Sequence, residues 1–350
     1  MTISLKSRFL ILFILVLATG IPALAEDACP DNTTCPPGVS ADVIAAYPYP
    51  NVIPLEIEES VLYDRAYRSV EGEMQIFDAP NGNLIETTGD GFSYVTIYNT
   101  GVAEGWAQIA PDKWVRTDNL TEVLPSRFAG VLLPDEPLPY TMAWTMRHLR
   151  PSETPGGEQS DNNPFLYRYT RVNLYDSVEV DGLLWYQIGE NQWVHQFDVA
   201  KIEPIERPAD VDTEKWVGVD LYEQVAIAYE GDKPVFATLV SSGLKDWGTN
   251  EGLFHIYLRY ERTPMSGAYQ QPDFYYLQDV PWTMYFDDDI ALHGTYWHDG
   301  FGYRHSHGCV NLSITDSHWL YEWSATEWDF TVSNDTGAAV YVYSSGTYDE

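Results

Sequence analysis

Cysteine is scarce in this chain: three occur in 350 residues, Cys29, Cys35 and Cys309. Positive charge is scarce as well. Lys and Arg number 19 against 52 Asp and Glu, a formal net charge of −33. A surface of that sign repels nucleic acid and anionic membrane, so neither is expected as a partner. Long stretches of helical period are nearly absent, which argues against a helical bundle. The apolar run from Phe9 to Ile21 is shorter than the roughly 20 residues a spanning helix needs.

That run has another reading. Lys6 and Arg8 precede it, Pro22 breaks it, and Ala23-Leu24-Ala25 supplies small residues. This is the layout of a secretory signal cleaved after Ala25, with no span left in the mature chain. An exported protein can hold disulfides. Cys29 and Cys35 flank a short polar stretch and are expected to pair with each other. Cys309 is then an odd cysteine in an exported chain, the mark of a reactive thiol.

Twenty-five Tyr and 12 Trp place most of the chain in the folded class, since disordered chains lack aromatics. Val, Ile, Tyr and Thr alternate with polar residues in short runs bounded by Gly, Pro, Asn and Asp. The class is mainly β. Residues 26–64 are Pro-rich and aperiodic and read as a linker or arm. An internal repeat follows. "EGWAQIAPDKWVRTDNL" and "LLWYQIGENQWVHQFDV" each hold two Trp eight residues apart, Trp106 with Trp114 and Trp185 with Trp193. Each reads as a β-hairpin, and two small barrels in tandem are expected, over 65–125 and 126–208. They resemble bacterial SH3-like modules, and the tryptophans read as their core residues. A polar joint at 206–215 leads into a third region, 213–345. There "WTMYFDDDIALHGTYW" predicts a strand, an acidic turn at 287–289 and a strand ending at His293. Ser313 followed by Asp316 is a capping-box signature for one short helix. With such a joint, residues 26–208 are expected to be removable without unfolding the rest.

The chemistry concentrates in "HSHGCVNLS", residues 305–313. A thiol has a pKa near 8.5, and a neighbouring imidazole activates it by stabilising the thiolate. His293, His298, His305 and His307 are all near in sequence. His307 shares a face with Cys309 on an extended segment, and His293 ends a strand sixteen residues upstream, so both stand as candidate bases. Two other readings exist. His305, His307 and Cys309 could hold zinc on one strand face, against which Gly308 makes regular extension doubtful. The thiol could also be buried and inert, against which its polar neighbours speak.

"LHGTYWHDGFGYRHSHGCVNLS" resembles the signature of the L,D-transpeptidase catalytic domain, the YkuD-like family. His293-Gly294, Ser306-His307-Gly308-Cys309, Val310 and Asn311 carry the resemblance, with Arg304 where many members have Pro and Asn311 where Arg is common. It implies a β-sandwich or mixed β catalytic domain with a short helix after the cysteine. It implies acyl transfer on peptidoglycan stem peptides outside the cytoplasm, without cofactor or metal. Cys309 would be the nucleophile and His293 the proton acceptor and donor, oriented by the Gly294 carbonyl. Amides around His307, Gly308 and Cys309 would hold the oxyanion, with Ser306 supporting the turn. Asn311 and Tyr296 would contact substrate. An amine acceptor gives a 3→3 cross-link or an anchored protein, and water gives a carboxypeptidase. A wall-binding protein without activity is the alternative from another class.

Overall fold

The computed structural model describes residues 38–268, 273–325 and 337–347. The signal reading and the Cys29–Cys35 pairing lie outside them. Among the described residues, no helix is long and apolar enough to cross a membrane.

The C-terminal region is built on two sheets. Lys215–Asp220 (β1), Val225–Glu230 (β2) and Lys233–Leu239 (β3) form an antiparallel meander. Gly252–His255 (β4) follows, then Leu258–Gly267 (β5), Tyr275–Asp287 (β6), Ile290–Gly294 (β7) and Val310–Leu312 (β8). The helix Ile314–Trp323 (α1) and the strand Ala339–Tyr343 (β9) close the region. The first sheet has the order β3-β2-β1-β9-β4, with β9 parallel to β1. In the second, β8, β7 and β6 are neighbours, and β5 also pairs with β6. Ser313 caps α1, its side chain accepting from the Asp316 N–H at 3.0 Å. The Asp316 carboxylate does not reach back. It is buried and accepts from the Gly130 N–H at 2.7 Å and the Thr238 hydroxyl at 2.6 Å.

The first sheet is buried on both faces. Val217, Val219, Ala226 and Ala228 pack towards the second sheet and α1. Trp216, Val225, Ile227 and Tyr229 face the other way, into a core with Met142, Trp144, Met146, Ala200 and Ile202. This explains the near-continuous apolar run 216–229: a strand covered on both faces has no polar side to alternate with. That run holds two strands, and the hairpin between β1 and β2 turns at Gln224, whose φ is +55°. The stretch "GLFHIYLRYERTP" also holds two strands, β4 and β5, which lie in different sheets.

The upstream modules are not separate beads. The Trp106–Ala110 and Lys113–Arg116 strands pair as an antiparallel hairpin, as do Leu183–Gly189 and Gln192–His195. Strand Phe92–Ile97, within 65–125, runs parallel to the start of β6 and joins the second sheet, followed by Ala66–Val70 and Leu120–Glu122. Strand Val131–Leu132, within 126–208, extends the first sheet beside β3. The segment 26–64 is not a bare linker where it is described. Ile53–Pro54 pairs with Val131–Leu132, Leu62 is buried, and the Tyr47 carbonyl accepts from Tyr175 and Asn173. The described residues from Gly38 onward form one compact unit. The physical reason is area: small hairpin modules bury their remaining apolar faces against the C-terminal sheets.

Candidate active site

Strands β7 and β8 are parallel neighbours, with His293 opposite Asn311 and Leu292 opposite Val310. Side chains alternate along a strand, so Cys309, two residues before Asn311, falls on the face shared by Asn311 and His293. All three line one cavity of about 410 Å³. The motif turn is tied down from beneath by 241–243. Ser241 exchanges both backbone hydrogen bonds with Asn311, and Ser242 O accepts from the His305 and Ser306 N–H groups. The Thr249 hydroxyl donates to Gly308 O at 2.7 Å. Gly308 has φ +121°, a conformation that side chains rarely adopt.

His293 is buried, and its Nδ1 lies 3.1 Å from Gly294 O. A carbonyl only accepts, so Nδ1 carries the proton and Nε2 keeps a free lone pair. Burial pushes the imidazole down to about 4, opposed by the Gly294 hydrogen bond, so it is neutral at pH 7. Gly294 is required by packing: a Cβ there would meet Ser317 Oγ at 2.5 Å and Pro281 Cγ at 2.8 Å.

The Cys309 thiol is half-buried, with Sγ 3.7 Å from Asp289 O. Desolvation pushes it up to about 11; an amide hydrogen bond from Ala291 works against this and Asp289 adds to it. Both shifts favour a neutral thiol and a neutral imidazole at rest, because leaving water disfavours each charged form. Labelling of wild-type protein by iodoacetamide should thus climb about tenfold per pH unit from neutral pH and level off only near pH 11, with no plateau at neutral pH. A plateau between pH 6 and 8, measured by mass spectrometry, would establish the ion pair instead.

The other expected residues divide. Ser306 Oγ donates to Cys309 O at 2.5 Å and accepts from the Gly308 N–H at 3.1 Å. The Gly308 amide is thus engaged by Ser306 rather than turned to an oxyanion. His307 is exposed, its ring stacked on Tyr275 at 5.3 Å and tilted against Trp247 at 5.1 Å. Tyr296 is corrected outright as a substrate contact. It is 1% exposed, stacked on Tyr67 at 3.7 Å, and donates to Gln278 O at 2.5 Å. Its ring locks the 66–70 strand to the loop after β7. His305 lines the cavity but stacks on His298 at 4.1 Å. Among the described residues, no three His, Cys, Asp or Glu converge as a metal site.

Sequence reasoning missed several residues that line the cavity: Phe92, Met265, Tyr275, Asp289 and Trp297. Trp297 sits 5.7 Å from the His293 ring. Its position four residues after His293 was the available signal. His298 was noted only as one histidine of four. Its Nδ1 accepts from the Gly300 N–H at 2.9 Å, and burial holds the ring neutral, pushed down to about 3. The proton therefore sits on Nε2, which lies 2.9 Å from Asn311 Nδ2. Two donors do not bond. Turning the amide over gives Nε2–H an oxygen and sends the NH₂ to the buried position where Oδ1 has no partner among the described residues.

Residues 214–342 match the family model of the L,D-transpeptidase catalytic domain, YkuD. YciB of Bacillus subtilis (strain 168), which bears an L,D-transpeptidase name, is 29% identical over 120 residues. That match covers 31% of this chain and 59% of the relative. The solved Enterococcus faecium L,D-transpeptidase is 22% identical, with TM-score 0.32, covering 37% of this chain and 50% of that one. The L,D-transpeptidase from Mycobacterium smegmatis is 17% identical, with TM-score 0.33, covering 47% and 69%. Residues 214–342 of this chain carry the YkuD-type L,D-transpeptidase catalytic domain.

Proposed function

We propose that the chain is an extracytoplasmic peptidoglycan L,D-transpeptidase with Cys309 as its nucleophile. The observation that carries this reading is that Cys309 and a tautomer-fixed His293 line one cavity. As sulfur attacks the carbonyl carbon of the donor stem residue, its proton passes to His293 Nε2. The oxyanion is met by the His307 and Cys309 N–H groups, since Ser306 engages that of Gly308. Collapse breaks the C–N bond, the imidazolium returns the proton to the leaving D-alanine amine, and a thioester remains. An acceptor amine then gives its proton to Nε2, attacks the thioester and releases the thiol. The neutral resting pair suits this scheme, because the proton moves only as the S–C bond forms.

The test is incubation of full-length protein with disaccharide-tetrapeptide, followed by mass spectrometry. Loss of D-alanine with formation of a cross-linked dimer is expected. Tripeptide without dimer would make water the acceptor. Unchanged substrate, with no covalent carbapenem adduct on Cys309, would leave a binding protein and sink the enzyme reading.

A further inference from the structure

We infer that Phe92, contributed from outside the catalytic region, is a substrate-contact residue that takes the methylene portion of the donor stem peptide. This rests on the transpeptidase reading above. Phe92 lines the cavity that holds Cys309. Its strand is held tightly against β6: Phe92, Ser93 and Tyr94 stand opposite Tyr275, Tyr276 and Leu277. The Phe92 N–H donates to Phe274 O at 3.0 Å. Gln278 accepts from the Thr96 N–H at 3.2 Å and donates to Ile109 O at 2.6 Å. Gly91 has no room for a side chain, since a Cβ would lie 2.3 Å from Phe274 O. The seam is therefore a close backbone junction, and it fixes where the Phe92 ring stands.

The ring is 44% exposed, while Ser93 and Val95 behind it are buried. With Met265, Phe274 and Leu277 it supplies an apolar part of the cavity lining. Cys309, His293 and Asn311 supply a polar part of the same lining. A ligand that fills the cavity meets both, so it needs a polar, acyl-bearing portion and an aliphatic one. A stem peptide whose attacked residue has a methylene side chain has both. An exposed aromatic wall in a concave site gains by covering such a chain.

The experiment compares Phe92→Ser and Phe92→Leu in the full-length protein. KM and kcat for D-alanine release from disaccharide-tetrapeptide are measured beside the rate of Cys309 labelling by iodoacetamide. Phe92→Ser is expected to raise KM about tenfold with kcat within about twofold, the scale for losing part of one aromatic contact. Phe92→Leu should restore most of it, and labelling should not change, because the small reagent does not use the apolar lining. An unchanged KM in Phe92→Ser overturns the inference. So does a KM rise matched by slower labelling or not rescued by Leu, which would make the ring only a structural wall. A wild-type protein that releases no D-alanine would fail the transpeptidase reading itself, a result separate from either.

Discussion

Replacing His293 with Ala should slow acylation of Cys309 by about two to four orders of magnitude, the usual scale for losing a general base. Replacing His307 should cost far less. Burial holds the thiol near 11, so its thiolate is rare at pH 7 and attack depends on a base that takes the proton as the bond forms. His293 has such a lone pair on Nε2 because Gly294 O occupies Nδ1. His307 lies exposed between the Tyr275 and Trp247 rings, so its loss should loosen the turn without removing a base. Single-turnover release of D-alanine at pH 7 separates the two. The iodoacetamide profile of His293→Ala should stay near that of wild type, since the imidazole does not set the resting thiol pKa. A His307→Ala defect larger than that of His293→Ala would reverse the assignment.

The acid limb follows from the same residue. Burial lowers His293 below its ordinary value, so the base stays neutral, and activity should hold as pH falls until it approaches about 4. Asp316 runs the other way. Burial raises its carboxyl to about 6, so the folded state binds its proton more tightly than the unfolded chain does. Its contribution to stability is present below the unfolded value near 4 and is lost as pH rises through 6.

Much of the site was legible because its parts are local. The strand, acidic turn and strand across 280–294 follow from alternation and an Asp run, and they deliver His293 to a strand end. Ser313 and Asp316 announced α1 through the spacing of a cap. The lining from elsewhere was not legible. Phe92 lies some two hundred residues from Cys309, and nothing local ties a strand at 92–97 to β6. Tyr296 was misread for a related reason. An aromatic beside a catalytic histidine suggests a substrate contact, but its ring is spent on Tyr67, a partner that only the tertiary fold reveals. The run 216–229 did hold a long-range signal. Apolar residues on both faces of a strand require cover on both, and much of the second cover comes from upstream residues such as Met142, Trp144 and Ile202.

That second cover leads to the last expected result. Deleting residues 38–208 should leave the remainder unable to fold, against the expectation that the upstream region is removable. Met142, Trp144, Met146, Ala200 and Ile202 would leave the core around Trp216, Tyr229 and Phe301. Each large apolar side chain contributes roughly 1.5–3 kcal/mol by burial, and a domain's whole stability is about 5–15 kcal/mol. The loss from this core alone is therefore of the order of the total. Removing Tyr67 and strand Phe92–Ile97 would also bare Tyr296 and one edge of β6, and leave Gln278 without Thr96 and Ile109. Asp316 would lose the Gly130 N–H while staying buried. Far-ultraviolet and near-ultraviolet circular dichroism of the truncated chain, with a thermal melt, checks this. A cooperative transition and a native near-ultraviolet signal would mean that 209–350 folds alone, and that the upstream strands are accessories to the catalytic sheets after all.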